Sequence, residues 1–63
     1  MPDKTDEEII AGAYETTIRQ LYATLYDVMV TSETSAEKDR AADAFSEGVI
    51  LARAVRESAK LLI

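Results

Sequence analysis

Apolar residues recur at alternating three- and four-residue intervals on both sides of a short polar segment, residues 31–35. Because an α-helix turns once every 3.6 residues, this spacing places apolar side chains on one stripe of a helix. Before the polar segment the stripe contains Ala11, Tyr14, Ile18, Leu21, Leu25 and Val28. After it the stripe contains Ala41, Phe45, Gly48, Ala52, Val55, Ala59 and Leu62. The pattern therefore predicts an all-α fold of two helices.

Both helix starts carry a capping signal. Thr5 is followed by Glu8 three residues later, and Thr34 is followed by Glu37 at the same spacing. In this arrangement the hydroxyl accepts a hydrogen bond from a free amide and the carboxylate reaches back to the capping residue. The expected elements of this single domain are a frayed tail at residues 1–4, α1 at about 6–30, a turn at about 31–35 and α2 at about 35–62.

The two helices are expected to fold back on one another as an antiparallel hairpin rather than form one continuous rod. Four hydroxyl residues lie within residues 31–35, and their side chains compete with helix continuation through local hydrogen bonds. Folding the chain about residue 33 sets bulky positions of α1 against small positions of α2, which lets facing layers interdigitate without voids. The predicted pairs are Ala11–Val55, Tyr14–Ala52, Ile18–Gly48, Leu21–Phe45 and Leu25–Ala41.

The hairpin would expose more apolar surface than one partner helix can cover. A chain of 63 residues buries only ~60 % of the surface that its unfolded form exposes, and this chain has no Cys to form a disulfide. We expect a second copy to cover the excess, giving an antiparallel homodimeric four-helix bundle, with a hetero-complex, a higher oligomer or a marginal monomer as alternatives. The residues assigned to a dimer or partner interface are Ile10, Tyr22, Tyr26, Met29, Val30, Val49, Ile50, Leu51 and Leu61.

Composition disfavours catalysis and attraction to polyanions. The chain has neither His nor Cys, so the commonest general base and the thiolate metal ligand are both missing. Twelve acidic against seven basic residues give a net charge of −5, which disfavours nucleic acid and anionic lipid as partners. No apolar run approaches the ~20 residues that cross a bilayer. We expect a non-enzymatic, cytoplasmic protein with no cofactor, no metal and no membrane attachment.

Two charged groups on α2 are candidate contact sites. Asp39, Asp43 and Glu47 form an acidic series at four-residue spacing, which mildly destabilises an isolated helix. The series could face a basic partner or a hard divalent cation, although a solvated helix surface is the interpretation we favour. A basic group near the end of α2 could contact phosphate, but such residues more often complement the dipole of a helix C-terminus. Its members are Arg53, Arg56 and Lys60.

In length and layout the chain resembles the small plasmid-encoded helical hairpins of the Rop type, which dimerise into antiparallel four-helix bundles and bind paired RNA loops. The resemblance covers the whole chain and rests on layout, so it assigns no binding residue. The function we favour is a small interaction or regulatory protein that presents a rigid helical face to a protein partner. The alternatives are a nucleic-acid-binding regulator of Rop-like layout and an acidic inhibitor that occupies a basic site on another protein.

Overall fold

The computed structural model describes residues 4–63, and these form two helices joined by a three-residue turn. Helix α1 spans Asp6–Thr31 and helix α2 spans Ser35–Leu61, so the observed bounds lie within one residue of the predicted ones. The helices pack side by side in a flat layer with principal extents of 49 × 24 × 7 Å. The predicted all-α hairpin is confirmed, and the rod is excluded. Of the predicted tail, residues 1–3 lie outside the described part of the chain.

Thr5 begins α1 as its N-cap. Its backbone is extended, with φ −69° and ψ 160°, and its hydroxyl accepts a hydrogen bond from the Glu8 amide at 3.2 Å. Asp6, Glu7 and Glu8 lie in the first turn, where the helix dipole favours negative charge. Of the two hydrogen bonds in the predicted capping box, the one accepted by the Thr5 hydroxyl is thus present, and it sets the start of α1.

The turn is closed by one backbone and several side-chain hydrogen bonds, without a glycine. The Ser32 amide donates to the Val28 carbonyl at 2.8 Å and ends α1, while the Thr34 hydroxyl accepts from the Glu37 amide at 3.2 Å and begins α2. The Glu37 carboxylate does not reach back to Thr34; it accepts a 2.6 Å hydrogen bond from the Ser32 hydroxyl. Since no residue from 4 to 63 has a positive φ, ordinary residues can make this corner without strain.

Half-buried residues mark the helix–helix contact. On α1 they are Ile10, Tyr14, Ile18, Leu21, Leu25 and Val28. On α2 the contact positions include Ala41, Ala42, Phe45, Gly48, Val49, Ala52, Arg56 and Ala59. Most residues of the predicted stripe therefore lie at the helix–helix contact, but Ala11, Val55 and Leu62 are exposed. Ile10 is half-buried where Ala11 was expected to be, and Arg56 is half-buried where Val55 was expected to be.

The predicted pair Ile18–Gly48 is wrong by three residues on α1. Leu21, not Ile18, packs on Gly48: a Cβ atom added at Gly48 would lie 2.7 Å from Cδ2 of Leu21. Side chains on a helix lean toward its N-terminus, which for α1 is the end away from the turn. Leu21 therefore reaches past the residue opposite its own backbone. The principle of large against small holds, although the pairs differ from those expected.

The open end of the hairpin brings opposite charges together. Asp6 and Glu7, at the start of α1, line one small surface cavity with Lys60 and Ile63 at the end of α2. Antiparallel folding predicts this neighbourhood of acidic and basic ends. Lys60 forms its ion pair with Glu57 of its own helix, at 3.6 Å, and does not bridge to α1. The opposite charges at the open end therefore favour the antiparallel orientation only through their proximity.

No residue of the described chain, from Lys4 to Ile63, is buried. The accessible surface is 5183 Å², whereas a compact folded protein of 6.9 kDa is expected to expose only about 4,000 Å². The radius of gyration is 15.0 Å, against about 11 Å for a compact chain of this length. Two helices in one layer have a contact line between them but no interior.

The contact of Leu21 with Gly48 predicts the response to a larger side chain. Gly48→Leu should destabilise the protein by ~1–3 kcal/mol, because the added atoms overlap Leu21 and overpack the contact. Thermal or urea unfolding measures the change. Adding Leu21→Ala to Gly48→Leu should recover part of the loss by exchanging the large and small partners.

The matched control is Gly12, at which an added Cβ would meet no atom within 4 Å. Because Gly is a poor helix former, Gly12→Ala should stabilise the protein by ~0.5–1 kcal/mol. Equal effects of substitution at the two glycines would show that the Leu21–Gly48 contact does not hold the helices together.

Candidate protein-interaction surfaces

An apolar groove runs along one face of the hairpin, between α1 and α2. It consists of two cavities of about 420 and 410 Å³ that share Leu21 as the ridge between them. The turn-side cavity is lined mainly by Thr24, Leu25, Val28, Ala41, Ala44 and Phe45. The cavity on the far side of Leu21 is lined mainly by Ile10, Tyr14, Thr17, Leu51, Ala52 and Val55. We call this surface the groove face.

The threonines of the groove face behave as apolar wall residues. The Thr17 hydroxyl donates to the Ala13 carbonyl at 3.1 Å, and the Thr24 hydroxyl donates to the Gln20 carbonyl at 3.2 Å. Because each threonine hydroxyl is bonded within its own helix, these two side chains present their methyl groups to the groove without an unpaired donor. The sequence analysis missed this wall. Thr17, Thr24 and Thr31 recur at seven-residue spacing, and that repeat was the available signal.

The two halves of the groove face differ in their lining. Leu51 and Val55 stand on its far half and remain 65 % and 58 % exposed. On the turn-side half α2 contributes Ala41, Ala44 and Phe45, together with the charged residues Glu37 and Arg40. Both halves therefore hold a cavity of similar volume, and the turn-side half is the one lined by charged residues of both signs.

A second apolar surface, the tyrosine face, lies on the opposite side of the helix–helix contact. At about 100° per residue, Tyr22 and Met29 lie on the flank of α1 away from the threonines. Tyr22 and Tyr26 are 59 % and 60 % exposed, and their rings stack with centroids 6.3 Å apart. Val49 of α2 is half-buried on the same side. This surface contains four of the residues assigned to an interface from the sequence: Tyr22, Tyr26, Met29 and Val49.

The remaining predicted interface residues lie elsewhere. Ile10 and Leu51 line the groove, while Val30, Ile50 and Leu61 point away from the helix–helix contact and are exposed. The predicted set is therefore divided among three surfaces of the hairpin, and one partner seated on one face cannot contact all of it.

The acidic series is an exposed outer edge of α2. Asp39, Asp43 and Glu47 are all exposed, and within residues 4–63 no three acidic side chains are arranged to hold a metal ion. Arg19 of α1 pairs with Glu15 of its own helix. The series is thus exposed to solvent along α2.

Arg56 takes part in packing between the helices. Its guanidinium lies over the Tyr14 ring, 4.3 Å from the centroid, and its Nε is 3.2 Å from the Glu57 carboxylate. Lys60 pairs with the same carboxylate at 3.6 Å. The sequence pairs Tyr14 with Ala52, four residues before Arg56, and assigns Arg56 to a basic group that could contact phosphate or complement the helix C-terminus. Two of the three residues in the predicted basic group are thus engaged within the hairpin.

No protein-family model, curated protein or solved structure matches the chain. Over the part of the chain that the structure describes, neither helix combines the length and the hydropathy of a bilayer-spanning segment. The two apolar faces and the acidic edge are therefore the features from which a function can be inferred.

The stacking of Arg56 on Tyr14 can be measured as a coupling energy. In a double-mutant cycle of Tyr14→Leu and Arg56→Gln, the two changes should couple by ~0.5–1 kcal/mol, because each alone removes the cation–π contact. Chemical unfolding of the four proteins gives the value. The control cycle replaces Arg56→Gln with Arg53→Gln, an exposed arginine one turn away, and should be additive within ~0.5 kcal/mol. Additivity in both cycles would remove Arg56 from the helix contact.

Proposed function

We propose that the chain is a small non-enzymatic interaction or regulatory protein that acts through protein–protein contact as a homodimer of helical hairpins. The observation that supports it most directly is the lack of any buried residue from position 4 to 63. Helical stability in proteins comes mainly from packing of apolar faces, and a single layer of two helices leaves both faces uncovered. In a four-helix bundle, each helix would contact two neighbours and an interior would form between the layers.

The exposed area fits one interface of ordinary size. The hairpin exposes about 1,200 Å² more than a compact protein of its mass. A standard specific interface removes about 800 Å² from each partner. One dimer contact would therefore remove most of the excess, while part of the apolar surface would remain for a further partner.

The outer surface of such a dimer would suit a protein partner. The acidic series Asp39, Asp43 and Glu47 would stay exposed on each copy, outside the bundle. Repeated negative charge on a rigid helix attracts and orients a basic surface. We infer that regulation would work by presenting this edge, together with whichever apolar face the dimer leaves free, to another protein.

The Rop-like alternative receives less support from the charged residues. Binding to a nucleic-acid backbone depends on Lys and Arg contacts to phosphate. Arg56 and Lys60 both pair with Glu57, and Arg19 pairs with Glu15. These pairs engage three of the seven basic residues, and the net charge of −5 further disfavours RNA as a partner.

Sedimentation equilibrium at low micromolar concentration tests the proposal. We expect a mass of about twice 6.9 kDa, and we expect helicity by circular dichroism to fall on dilution together with the mass, because folding and association are linked. A fully helical monomer with a sharp unfolding transition would contradict the dimer. Tight, salt-dependent binding of structured RNA by the wild-type protein would favour the Rop-like function instead.

A further inference from the structure

We draw no further inference here: the strongest candidate, the apolar groove between α1 and α2 that Leu21 divides into two cavities, has Arg40 and Glu37 among its lining residues, and nothing in the structure shows what covers it.

Discussion

The contact of Leu21 with Gly48 determines how the two helices lie against each other. Gly48 has no side chain, so α1 can bring Leu21 onto the backbone of α2 near the middle of the hairpin. Arg56 lies over Tyr14, and the groove is divided at Leu21 into two cavities of similar volume. One close approach near the middle of the helices therefore determines both the packing and the shape of the exposed face.

Sequence reasoning predicted the elements because their signals are local. Hydroxyl caps at Thr5 and Thr34 and a strong apolar period define where each helix begins and which stripe it buries, and these depend only on neighbours along the chain. The register depends on the direction in which side chains lean across the contact. Folding the chain symmetrically about residue 33 ignores that lean, so Ile18 was placed where Leu21 lies.

The groove was less predictable than the helices because residue type alone does not reveal it. Interface residues were assigned by apolar character, which selects Tyr22 and Ile50 but passes over Thr17 and Thr24. Those threonines act as wall residues only because their hydroxyls bond to carbonyls one turn earlier. Arg56 was misjudged for the opposite reason: a charged residue was assigned to solvent, although its long side chain can pack on an aromatic ring.

A single layer of two helices cannot enclose side chains, whatever their sequence, because each helix has one neighbour and two open flanks. Adding apolar residues to this hairpin would enlarge its exposed faces rather than create an interior. The proposed second layer changes this geometry, since each helix would then gain a second neighbour and an interior would form between the layers. Folding would in that case depend on concentration, so the abundance of the chain would control how much of it presents a rigid acidic edge to a partner. For a small regulatory protein, assembly and activity would then be the same equilibrium.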